Sequence, residues 1–223
     1  QVGQMRFMAC KLQQERDRQE QNSLADSAIK TQMGEAWDAL HPAIRERFAH
    51  DPAVGEHVFY RGAMERIECS RAGWLFAHLT RLIGNPLTPH TGNFVKMDVI
   101  LHKRPGKAGV YWRRTYYYPD RAPYSVTSVK RTSASGEMLE CVGAGFGMIL
   151  RVYEQDAMLH FKSERYFWQL GRLRVPLPHW LSPGQTHVVH EDVGEGRFRF
   201  TINMQHKWLG RTFYQTGLFK REA

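Results

Sequence analysis

Near Phe94 the spacing of apolar residues changes from about 3.6 to 2, and this change limits the fold more than any other feature of the chain. Val95, Met97, Val99 and Leu101 alternate with Lys96, Asp98 and Ile100. The same period returns in Phe146, Met148, Leu150 and Val152, and in Phe198, Phe200, Ile202 and Met204. Turn chemistry at Pro105-Gly106, Pro119-Asp120 and Gly194 to Gly196 separates these runs. About nine strands are read between residues 94 and 219, joined mostly by hairpins. The expected fold is therefore α+β and mainly antiparallel β, a strongly curved sheet or partly open barrel with helices in the N-terminal third.

The first 32 residues, polar and rich in helix formers from residue 5 to 22, read as an exposed helix or linker. A single β-rich domain is expected over 33–223, with a helical part at 33–84 and a sheet part at 94–219. Trp37 and Leu40 anchor the first helical stretch, and Pro42 suits the first turn of the next. Ser70 is a candidate N-cap for a helix from Arg71 through Ile83, with Trp74, Leu75, His78, Leu79 and Leu82 at helical spacing. Three prolines between Val175 and Pro183 deny that segment ladder hydrogen bonds. It is expected to be an ordered loop, packed down by Trp180 and Leu181, over one mouth of the sheet.

The strand Val110 to Tyr116 places Trp112, Arg114 and Tyr116 on one face. A guanidinium between two aromatics needs a buried acid or a ligand. Glu140, flanked by Met138 and Val142, is the best acid. One reading makes Arg114 the anchor for a ligand carboxylate or phosphate, with Trp112, Tyr116 and Trp168 as walls and Arg61 as a weaker candidate. The other makes Arg114 and Glu140 a register-fixing pair. An enzyme using Glu140 or His190 for acid–base work requires both groups to meet one bound molecule.

Catalytic motifs are missing from the sequence. No His-x-His, His-Glu-x-x-His or Cys/His spacing marks a metal site, and no cofactor fingerprint appears. Gly143-Ala-Gly145-Phe-Gly147 lies between strands and suits a bend better than a phosphate cradle. The 31 basic residues outnumber 22 acidic ones, a net charge of +9, but they are scattered, so nucleic acid is not the expected partner. Three distant cysteines fit reduced thiols in a cytoplasmic protein. No stretch approaches the roughly 18–20 apolar residues of a membrane span. Gln1 in first position suggests a piece of a longer chain.

Tyr60-Arg61-Gly62, Trp112-x-Arg114-x-Tyr116, Ser125, Glu140-x-x-Gly143 and Leu170-Gly171 leading to Pro176-Leu-Pro-x-Trp-Leu-x-Pro183 form a connected set. On these residues the segment from about Leu40 to Phe219 resembles an uncharacterised bacterial domain family. That family is often found C-terminal to saccharopine-dehydrogenase-like or short-chain-reductase-like Rossmann domains. Tyr116 stands where its members tend to have Phe. The resemblance implies no established activity, but it does imply an oxidoreductase-like partner. The reading is thus a non-catalytic module for a small amphipathic or apolar ligand, with an enzyme or accessory subunit, or a protein- or membrane-surface module, as alternatives.

Overall fold

The computed structural model describes residues 26–83, 87–171 and 173–222; the helix expected within residues 5–22 lies outside them. Helix α1 (Ala28–Met33) begins at Ser27, whose hydroxyl accepts from the Lys30 amide at 3.0 Å. A 3-10 turn (Gly34–Ala39) leads to α2 (Pro42–Phe48), which carries proline in its first turn. Ile29, Met33, Trp37, Leu40, Ile44 and Phe48 are buried and join the main core. The Phe48 ring reaches the barrel interior, 6.2 Å from Trp112 and 4.9 Å from His190. The N-terminal helices therefore plug one end of the sheet.

Eleven strands follow: β1 (His57–Cys69), β2 (Gly92–His102), β3 (Val110–Tyr117), β4 (Tyr124–Thr132), β5 (Met138–Gly143), β6 (Phe146–Gln155), β7 (Met158–Leu170), β8 (Leu173–Leu177), β9 (Gln185–Gly194), β10 (Arg197–His206) and β11 (Gly210–Arg221). All pairings between them are antiparallel. Because β1 pairs with both β2 and β11, and β7 with both β6 and β9, ten strands form a closed barrel. Strand β8 hangs on β7 outside the closure. The partly open, nine-strand expectation is corrected to ten closed strands plus one. Closure pairs the edge groups that an open sheet would leave to solvent.

The missed strand in the supposedly helical part is β1. Its fully buried large side chains are Tyr60, Met64 and Ile67, spaced by four and three as on a helix. Two features produce this imitation. Gly62 occupies an inward position without a side chain, and a bulge between Met64 and Arg66 shifts the register by one. The glycine is required, since a Cβ there would lie 2.0 Å from the Leu218 carbonyl oxygen. Gly217, on the facing strand, is held by the same close approach: its Cβ would meet the Ala63 carbonyl oxygen at 2.3 Å. Strand β8 was hidden by Pro176. It pairs only with β7, so Pro176 breaks no second ladder.

Helix α3 (Arg71–Leu79) runs from the end of β1 into a 3-10 turn (Thr80–Ile83), and Ser70 accepts from Gly73 as the expected N-cap. Gly73 and Ala77 face the barrel, whereas Trp74, Leu75 and Leu79 point to solvent. This helix lies at the end opposite the plug. No helix among the described residues is long and apolar enough to cross a membrane.

Candidate functional site

Strand β3 runs lengthwise through the barrel wall, and alternation turns Val110, Trp112, Arg114 and Tyr116 inward. Trp112 sits beneath the Phe48 plug, Arg114 near the middle, and Tyr116 toward the α3 end. The next strand presents Val126, Ser128 and Lys130, which stand opposite Arg114, Trp112 and Val110. Strand β5 then places Glu140 directly opposite Lys130. Three adjacent strands thus bring Arg114, Lys130, Ser128 and Glu140 to one interior patch, each at most 7% exposed.

Glu140 is served first by Lys130, whose Nζ lies 3.0 Å from Oε2. Ser128 donates to Oε1 at 2.7 Å. The Arg114 Nη2 stands 3.8 Å from the same oxygen, beyond hydrogen-bond range, while Nη1 donates to Ser128 at 3.2 Å. Burial disfavours the Glu140 carboxylate, but Lys130, Arg114 and the Ser128 hydroxyl together overcome it and hold the carboxyl below its usual range. Burial pulls the Lys130 ammonium downward against the attraction of Glu140. Two cations therefore face one carboxylate in the interior. A carboxylate already accepting from two neighbours is a counter-ion and a weak base.

A cavity of about 160 Å³ lies on the α3 side of this patch. Arg114, Tyr116, Ser128 and Glu140 form one wall, and Tyr166, Thr186 and Gln215 add polar groups, as do Thr80, Thr88 and Ser182. Val126, Met148, Val188, Met204 and Phe213 make the rest apolar. Tyr116 donates to the Gln215 Oε1 at 2.9 Å. The Gln215 Nε2, in a side chain with no exposed surface, has no hydrogen-bond partner among the described residues. Tyr166 contacts the Gly184 carbonyl at 2.8 Å and Thr186 at 2.7 Å, and burial pushes its hydroxyl up to about 12. Leu177, Leu181 and Pro183 line its α3 end together with Thr80 and Leu87.

A second space of about 20 Å³ lies on the plug side, lined by Arg47, Phe48, Trp112, Arg114 and His190 among others. The Arg47 guanidinium stacks 3.7 Å from the Phe198 ring, and burial lowers it to about 10. His190 is held well below the usual imidazole range by burial and then by Arg47, Lys130 and Arg114. Its Nδ1 has no partner among the described residues.

The structure brings Arg114, Tyr116 and Glu140 to one cavity and Trp112 to the neighbouring one. Trp168 lies elsewhere: it stacks on Phe146 at 5.4 Å and donates to the Ala144 carbonyl, partly exposed. Arg61 is on the outer surface, bound to Asp98 at 3.2 Å and near Glu222. Glu140 and His190 line different cavities, with Arg114 between them. The expected packing of Trp180 and Leu181 is corrected. Both are half exposed, in a 3-10 turn (His179–Leu181), although Leu181 does reach the cavity mouth. Among the described residues no group of His, Cys, Asp and Glu is placed to hold a metal.

Lys130, Ser128 and Gln215 escaped the sequence reading. Lys130 and Ser128 carried a usable signal, the alternation Val126-Ser128-Lys130 at the period of Trp112-Arg114-Tyr116. Gln215 had none, because its place across the barrel depends on closure.

The fold and its interior define a closed antiparallel β-barrel with an ion cluster and a cavity inside. Residues 40–219 match a family described as "Domain of unknown function (DUF4166)", and the chain belongs to that family. No curated protein and no solved structure matches it.

Proposed function

We propose that the barrel is a binding module for a compact amphipathic ligand, whose anionic or acceptor head meets Arg114 and Gln215 and whose body fills the apolar part of the cavity. The observation that carries this reading is the excess of donors. Arg114 has five N–H groups and, among the described residues, makes one hydrogen bond, to Ser128, and a longer ion pair with Glu140, to which Lys130 and Ser128 stand closer. Gln215 adds an unpartnered N–H pair. Buried donors of this kind find partners, and a ligand head with two oxygens supplies them. The cavity belongs to the size class of an engineered cavity of ~150 Å³ that binds benzene.

Native mass spectrometry of protein purified without refolding tests the reading by retention of a small molecule. Competition against a fluorescent amphipathic anion then compares short alkyl carboxylates with alcohols of equal length. Carboxylates are expected to compete better, and Gln215→Leu and Arg114→Met to erase the difference. Equal competition by both series, or probe binding unchanged by both variants, would refute it. We retain an oxidoreductase-like companion as the expected partner on the strength of the family resemblance, the chain itself carrying no dinucleotide-binding glycine fingerprint.

A further inference from the structure

We propose that the α3 end of the barrel docks on an anionic lipid surface, with the cavity mouth facing the membrane. Helix α3 turns its apolar side outward: Trp74, Leu75 and Leu79 are each more than half exposed, while Gly73 and Ala77 contact the barrel. The turn at His179–Leu181 adds Trp180 and Leu181, and the β10–β11 turn adds Trp208, all at least half exposed.

These segments are neighbours. The Ser70 amide donates to the Thr212 carbonyl at 3.0 Å, and the Thr212 hydroxyl donates to the Pro183 carbonyl. The Phe76 ring lies 6.3 Å from His206, and the His206 Nδ1 accepts from the Trp208 amide at 3.2 Å. Thr80 and Leu181 line the same cavity. One end of the barrel thus gathers three exposed tryptophans with Leu75, Leu79 and Leu181, a grouping and not scattered single residues.

Charge selects the occupant. Residues 69–97, 165–190 and 196–221, which supply most of this end, contain no Asp or Glu, and Asp120 in the β3–β4 turn beside them is paired with Arg121 at 2.5 Å. Arg71, Arg81 and Lys207 are exposed and make no ion pair among the described residues. Glu68, near the end of β1, is engaged by Arg66 and Arg211. Exposed Trp and Leu accompanied by an excess of cations is the composition of a helix face lying in a lipid interface, with aromatic rings at headgroup depth and basic groups on anionic headgroups. Docking stands independently of whether the cavity is loaded, because its residues lie outside the polar patch at Arg114.

The test uses the full chain with phosphatidylcholine vesicles, with and without phosphatidylserine, at low and high salt. Binding is expected on the anionic vesicles, weaker at high salt, with a blue shift of tryptophan emission. Leu75→Ser with Leu79→Ser, on the solvent side of the helix, is expected to weaken binding by roughly tenfold or more. Arg71→Glu with Lys207→Glu should remove the preference for anionic vesicles. Urea midpoints near that of the parent protein establish that both pairs remain folded. Absence of vesicle binding, equal binding to both compositions, or binding insensitive to both pairs overturns the assignment. Self-association abolished by the Leu75→Ser pair would also overturn it, by giving the surface to a second copy. None of these outcomes alters the carboxylate competition that tests the cavity.

Discussion

Glu140→Gln is the most direct probe of the interior charge. The glutamine keeps an oxygen for Ser128 but leaves Lys130 and Arg114, both buried, without a counter-ion. Removing one partner of a buried ion pair costs about 3–5 kcal/mol. The structure also sets a ceiling for Lys130, because a stranded ammonium escapes by losing its proton. Relative to an unfolded lysine near 10.4, that loss at pH 7 costs about 1.36 × 3.4, or roughly 4.6 kcal/mol. The sign follows from proton counts: the unfolded variant binds a proton on Lys130 that the folded variant lacks, so stability rises with pH. Between pH 7 and pH 9 the penalty should shrink by up to about 2.7 kcal/mol. Urea unfolding at the two pH values measures both numbers, and the expected fall in Tm at pH 7 is roughly 6–20 °C. Adding Lys130→Met to Glu140→Gln should recover most of the loss, because a buried charge is then exchanged for an apolar chain of similar length. A penalty under about 1 kcal/mol at pH 7, or one unchanged at pH 9, would refute the reasoning.

His190 stays neutral when folded and charges when unfolded, so acidification below about 6.5 costs stability with a slope approaching 1.4 kcal/mol per pH unit. His190→Phe should flatten that part of the stability–pH curve, and an unaltered slope would assign it to other groups. Gly217→Ala, whose new Cβ would lie 2.3 Å from the Ala63 oxygen, should cost roughly 1–3 kcal/mol in urea unfolding; an unchanged midpoint would show that the seam yields. Cys69, raised to about 11 by burial, should alkylate at pH 8 roughly a hundredfold more slowly than an unperturbed thiol. Peptide mapping after timed iodoacetamide exposure checks this, with comparable labelling as the contrary result.

Much of the sheet was legible because β2, β3, β6 and β10 have one wet and one dry face, and period 2 records that contrast. The inward Trp112-Arg114-Tyr116 face was legible for the same reason. Two strands broke the code in different ways. In β1 a glycine and a bulge gave the buried residues a helical spacing, and in β8 proline was tolerated at an edge. Helix α3 misled through its composition. Trp74, Leu75 and Leu79 have core-like spacing, yet the barrel side is taken by Gly73 and Ala77, whose small size permits close backbone approach. The partner of Glu140 was unreadable at the level of pairs. Two acceptable cations existed, and only the strand register places Lys130, not Arg114, directly across from the carboxylate. Trp168 and Arg61 shared residue types with the site but not its side of the wall.

The seam between β1 and β11, where Tyr60 stands opposite Arg221, joins the most distant strands in the chain. Its loop-closure entropy exceeds that of a ten-residue hairpin by roughly 2.5 kcal/mol, which favours late pairing during folding. Arg114, Lys130 and Glu140, by contrast, occupy three consecutive strands linked by hairpins. They are able to find one another in a half-rolled sheet that is still wet. The seam completes the wall around Arg114, Lys130 and Glu140, so its pairing is part of what keeps these charges from water in the folded barrel.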